Sequence, residues 1–203
     1  MSNWIARDTN QNPNMTDAEK TNNVWIITAY FRSQGWTDNA IAGLLGNMDV
    51  ESQLNPGQFE IGSNPDNTGY GFGLVQWTGS SRIDFVSWAG SDWRTNYDKQ
   101  LDRIMYEYSG GYTQWIPVAA YNYMTFQQYA ASTESPEYLV MAFEYSYERG
   151  TPLTESRQAA ARKWWNVING TPTPPMPGGN IPIWLLFKIR WDRRQIIEHP
   201  DLL

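Results

Sequence analysis

The chain has 203 residues, a formal net charge of −6, no cysteine and a single histidine, His199. Disulfides, thiol catalysis and thiolate metal sites are excluded, and a histidine triad or multi-histidine zinc centre has no residues to build it, so no cofactor and no metal is expected. The negative balance argues against nucleic acid as the main partner. No apolar run reaches the length of a bilayer span, and the mostly polar residues 1–10 give no reason to expect a signal peptide. Eleven Trp and twelve Tyr are a heavy aromatic load; they suit stacking on sugar rings as well as core packing.

Residues 1–15 read as an irregular N-terminal arm. Thr16-Asp-Ala-Glu19 is a capping box opening a helix to about Gln34, with Gly35 just past its end and Val24, Ile27 and Phe31 on its buried stripe. Thr37 caps a second helix, Asp38 to about Ser52, so the two form a tight pair. Gly43 and Gly46 inside it weaken a helix relative to alanine, and close helix–helix contact is the expected reason. Asn55-Pro-Gly57 is its exit.

Residues 53–69 read as a polar loop carrying Glu60 and Asp66. The run from Gly69 to Trp77 reads as a glycine-laced strand, whose missing side chains at Gly71 and Gly73 would let a ligand or another backbone approach. Thr78-Gly79-Ser80-Ser81 reads as a turn and cap starting a short helix through Arg82, Ile83, Phe85, Val86 and Trp88 that ends near Gly90, and another helix is expected from about Asn96 to Tyr108. Within residues 112–131 the pattern allows helix around Ala119–Tyr123 or Phe126–Ala131. Ser135-Pro136-Glu137 opens a helix predicted to run to Arg149, and Thr154 caps the last one, Glu155 to about Asn169. Residues 171–180 form a Pro/Gly linker. In 181–203, the apolar run Ile181-Pro-Ile-Trp-Leu-Leu-Phe187 precedes Lys188, Arg190, Arg193 and Arg194. That tail reads either as a segment folded back on the domain or as a docking peptide for a protein or membrane surface.

One acid stands out. Ile41, Leu44, Leu45 and Met48 share a helix face, and Glu51 falls at its edge in the last turn. Partial burial and the negative end of the helix dipole both favour a protonated carboxyl there, as general acid catalysis near neutral pH requires. Asp49 lies about 160° around the helix and points elsewhere. Glu144 and Glu148 read as ion-pair partners of Arg149 or Arg157 rather than as catalysts.

The two blocks Ala42-Gly-Leu-Leu-Gly-Asn-Met-Asp-Val-Glu-Ser52 and Gly71-Phe-Gly-Leu-Val-Gln-Trp-Thr78, separated by a polar loop with Asn55-Pro56-Gly57, resemble the phage tail lysozyme family. That family belongs to the lysozyme-like superfamily and includes muramidase domains of tail-tip morphogenesis proteins of small podophages. The match covers roughly residues 17–170. It implies a mostly α (α+β) lysozyme-like domain, residues 1–170 with its core at 17–170, and a small β-hairpin excursion at 57–77. It implies Glu51 as the catalytic acid of a muramidase acting on bacterial peptidoglycan, with Tyr70, Gly73, Gln76 and Trp77 along the glycan cleft. Asp66, and less directly Glu60, are candidates for the second carboxylate of glycoside hydrolysis. The resemblance further implies a place in the phage virion at the tail tip, with 181–203 as a possible attachment to other tail proteins. A lytic transglycosylase using the same acid, and a non-catalytic virion or glycan-binding module, are the alternatives.

Overall fold

The computed structural model describes residues 2–111, 113–150 and 153–170. The expected linker, the tail 181–203 and His199 lie outside the described residues. Seven α-helices dominate: α1 (Asp17–Ser33), α2 (Asp38–Ser52), α3 (Ser80–Ala89), α4 (Asp98–Tyr108), α5 (Phe126–Ala130), α6 (Pro136–Phe143) and α7 (Thr154–Asn169). The mostly α expectation holds, with the bounds of α1 and α2 close to those read from sequence. Thr16 and Glu19 form the reciprocal capping box, and the Thr37 hydroxyl accepts the Ala40 N–H at 3.2 Å.

α2 is the axis of the domain. Every residue from Ala40 to Met48 is buried, as befits a helix surrounded by partners. It packs chiefly on α7 and α6, then on α1. Its two internal glycines explain how. A Cβ on Gly43 would meet the Tyr129 hydroxyl at 2.8 Å and the Leu139 backbone at 3.0 Å, and one on Gly46 would meet the Ala161 nitrogen at 2.9 Å. Both α6 and α7 therefore approach the α2 backbone more closely than any side chain permits. Around this axis Phe31, Trp36, Trp115, Phe126, Tyr129 and Phe143 form an aromatic core, with Trp115 stacked on Phe126 at 4.6 Å between ring centroids.

Three expectations are corrected. The run from Gly69 to Trp77 is not a strand, and among the described residues the region holds only isolated bridges, Thr9–Gln58, Phe59–Phe72 and Phe72–Trp77. Phe72 and Trp77 exchange both backbone hydrogen bonds at 3.0 Å, closing the four residues between them into a loop. Gly73 (φ 82°) and Gln76 (φ 48°) take left-handed conformations that turn the chain back. The helix predicted to reach Arg149 is α only to Phe143; Glu144–Glu148 wind as a π-turn, closed by the Arg149 N–H on the Glu144 carbonyl at 2.7 Å. Thr154 is the first residue of α7 and provides no side-chain cap. Both readings of 112–131 are realised, as a 3₁₀ turn at Ala119–Tyr121 and as α5.

The N-terminal arm, irregular as expected, is sewn down by asparagines. Asn55 is buried; its side chain accepts the Arg7 N–H and donates to the Arg7 carbonyl, both at 2.8 Å. Asn23 does the same for Ile5, at 3.0 and 2.7 Å, and also reaches the Leu54 carbonyl. Each amide takes the place of a neighbouring strand, fixing the arm against the exit of α2.

Candidate active site

The last turn of α2, the turns of residues 53–78 and the π-turn enclose a cleft of about 480 Å³, within the range of small-molecule sites. Glu51 lies in its wall, its side chain 22% exposed. The half-buried position predicted from the helix pattern is realised. Its carboxylate meets a partner that the pattern could not reveal: Arg157 of α7, itself 2% exposed, whose Nη2 lies 2.5 Å from Glu51 Oε1.

Arg157 is the hub of this wall. Its Nη1 donates to Asn47 Oδ1 at 2.7 Å, and the Asn47 amide donates in turn to the carbonyls of Val140 (2.8 Å) and Gly43 (3.1 Å). Asn47 precedes Glu51 by four residues and so shares its face of α2. The same Nη2 of Arg157 stands 2.9 Å from Glu144 Oε2, with both side chains 2% exposed. Burial raises the Glu144 carboxyl above its ordinary range, against the opposing pull of Arg157, and the Glu51 charge raises it further. Glu148 also lines the cleft. One of its oxygens is sealed from solvent and finds no hydrogen-bond partner among the described residues. Burial, then the Glu51 charge, hold this carboxyl well above the usual carboxylate range; Arg157 acts the other way.

The opposite wall is built from loops. Glu60 lines it and accepts the Gly71 N–H at 3.1 Å. Gln76 lines it too, its amide donating to the carbonyls of Gly73 (2.8 Å) and Gln58 (3.2 Å). Behind this wall Gln100, fully buried, accepts the Leu74 N–H at 2.8 Å and donates to the Pro56 carbonyl at 2.7 Å. Pro13 brings the N-terminal arm to the rim.

The structure thus brings Glu51, Glu60 and Gln76 to one cleft and places the other candidates elsewhere. Asp66 is not among the lining residues; its loop is clamped by buried Arg82, which donates to the carbonyls of Pro65, Asn67 and Tyr70. Tyr70 is 40% exposed, outside the lining. Gly73 is buried against Gln100, where a Cβ would meet Gln100 Oε1 at 2.6 Å. Trp77 is core: it stacks on Phe85 at 4.6 Å and donates to the Tyr147 hydroxyl at 3.1 Å, so no face is open to a sugar. Asp49 points away as expected, bound to Lys20 at 2.6 Å and Trp164 at 2.9 Å.

This geometry can be set beside known proteins. Residues 22–168 match the family described as phage tail lysozyme. The chain belongs to that family. It is also 39% identical over 165 residues to Morphogenesis protein 1 of Bacillus phage B103. The matched stretch is 79% of this chain and 43% of that relative, so the chain spans less than half of the relative's length. The family span begins inside α1, which leaves the arm and its Pro13 contribution to the rim outside it. The expected pairing of Glu144 with Arg157 is found, whereas the bonds that tie Arg157 to Glu51 and Asn47 were not read from the sequence. Only the (i, i+4) spacing of Asn47 and Glu51 could have hinted at a shared partner.

Proposed function

We propose that this phage tail lysozyme is an active muramidase, cleaving the β-1,4 bond between N-acetylmuramic acid and N-acetylglucosamine in peptidoglycan. The observation that carries the reading is Glu51: a half-buried carboxyl at the end of the buried central helix, in the wall of a cleft whose far side offers Gln76 and Glu60. Glu51 gives its proton to the bridging oxygen as the C–O bond breaks, and positive charge develops on the sugar ring. Gln76 is suited to hydrogen-bond hydroxyl or N-acetyl groups. Glu60, across the cleft, is the carboxylate placed to orient a water; Asp66, outside the lining, is not. Release of soluble fragments from purified cell walls should fall about 10²–10⁴-fold in Glu51→Gln. Undiminished release in that variant overturns the mechanism, and wall binding without release in either form favours a non-catalytic module.

The tie between Glu60 and the Gly71 N–H favours one second reading, a lytic transglycosylase that consumes no water. Mass spectrometry separates the two, since hydrolysis leaves hydrated reducing ends and the transglycosylase leaves anhydro ends. Family and relative together support a role in the virion, acting on the wall during penetration. We propose residues 181–203 as the attachment segment. Deleting 171–203 should then preserve wall cleavage and abolish incorporation into particles; unchanged incorporation refutes it.

A further inference from the structure

The geometry points to Glu148 as the residue that holds the working proton of the cleft, passing it to Glu51, an inference that rests on the muramidase reading. Three carboxyls, Glu51, Glu144 and Glu148, act on one another around a single buried guanidinium. Arg157 is already engaged by Glu51, Glu144 and Asn47. Arg149, the other nearby cation, is exposed and donates to the carbonyls of Gln114 and Ser146. One guanidinium cannot offset three carboxylates at low dielectric, so the cluster retains a proton.

Glu148 is the seat that geometry favours. Glu144 also has its oxygens enclosed without a hydrogen bond, but it is ion-paired to Arg157 and lies outside the cleft lining. Glu148, on which the π-turn ends before Arg149 turns away with φ 55°, is left in the cleft wall itself with one oxygen enclosed and unpartnered. A buried carboxylate oxygen without a donor is costly, whereas a protonated carboxyl there is not. The groups that face it are consistent: Glu51 from α2, Arg157 from α7, Glu144, Tyr147 and Arg149 from its own turn. π-turns concentrate at functional sites, and here the turn ends on an acid that lines the same cleft as Glu51. During cleavage the proton moves from the Glu148 carboxyl to the Glu51 carboxylate and on to the bridging oxygen. That oxygen keeps the electron pair of the broken C–O bond as the hydroxyl of the departing sugar; water adds to the oxocarbenium carbon left behind and releases a proton to solvent, and Glu148 regains a proton from solvent.

Two measurements test this. In wild-type protein labelled at glutamate carboxyl carbons, NMR titration should show a resonance titrating well above the ordinary glutamate range, absent in Glu148→Gln. In wall-cleavage assays the alkaline limb of kcat/KM should move to lower pH by about one unit in Glu148→Gln, tenfold in protonated fraction, with Glu148→Asp moving it back. An unmoved limb, or no such resonance in the wild type, overturns the proposal. The NMR arm needs no activity. If Glu51→Gln still cleaves walls, the muramidase reading fails while the titration still decides where the proton sits.

Discussion

On the α2–α7 wall of the cleft the carboxyls gather around a buried guanidinium; on the 53–78 wall the polar groups are amides and backbone held by Gln100, Asn55 and Gln76, with Glu60 as the carboxylate among them. The first wall joins residues distant in sequence through Arg157, so its parts stand or fall together. The second consists of short loops, each pinned by its own local bonds. An ion-paired carboxyl cluster on helices facing a loop wall of hydrogen-bonding groups, with Glu60 its carboxylate, is a division that fits the proposed glycosidase reading.

The sharpest way to break this contrast is Arg157→Met. It leaves Glu144 buried without its cation and removes the partner of Glu51, so stability should fall by about 3–5 kcal/mol, read by urea unfolding, with cleavage lost as well. An effect on activity alone would mean that the wall is less coupled than the geometry implies. The sign of the pH dependence follows from Glu148. Its folded carboxyl is held well above the ordinary 4.5. Above that value the unfolded chain ionises freely while the fold retains the proton, so stability declines as pH rises until the folded value is passed. Glu148→Gln lacks this loss. Its stability relative to wild type should improve steadily as pH is raised from 4.5; parallel melting curves would contradict it.

The loop wall should answer differently. Asn55→Ala removes both bonds to Arg7 and leaves buried backbone groups unpaired, a loss of about 1–3 kcal/mol. The arm that brings Pro13 to the rim then loosens, and limited proteolysis within residues 2–15 should accelerate while the α2–α7 wall keeps its melting cooperativity.

The same contrast explains what could be read from sequence. The helical frame was legible because Thr16, Thr37 and Ser135 are local capping signals and Val24, Ile27 and Phe31 a local period. Glu51 was legible because its position depends on α2 alone. The pairing of Arg157 with Glu144 was legible, but its bond to Glu51 was not, since that arises only when α7 lies against Gly46, a contact between residues more than a hundred positions apart. The run from Gly69 to Trp77 misled for the opposite reason. Alternating glycines imitate a strand, but Phe72, Leu74, Val75 and Trp77 are all buried, which no alternating strand with one open face allows. The π-turn was invisible because Glu144–Glu148 suits an α-helix equally well by propensity.

The smallest expected effect is the most specific to the loop wall. A Cβ at Gly71 would run into the side chain of Gln76, whose amide bridges the Gly73 and Gln58 carbonyls at the cleft surface. The far end of a glutamine can swing aside, so Gly71→Ala should change stability by no more than about 1 kcal/mol. The displaced amide can move only toward the cleft or away from its two carbonyls, and either move alters what a sugar meets. Wall cleavage should therefore weaken through KM, with kcat and the alkaline limb of the pH profile retained, because Glu51, Arg157 and Glu148 are untouched. A fall in kcat with KM unchanged would instead tie Gln76 to the reacting bond itself, and the division between the two walls would have to be redrawn.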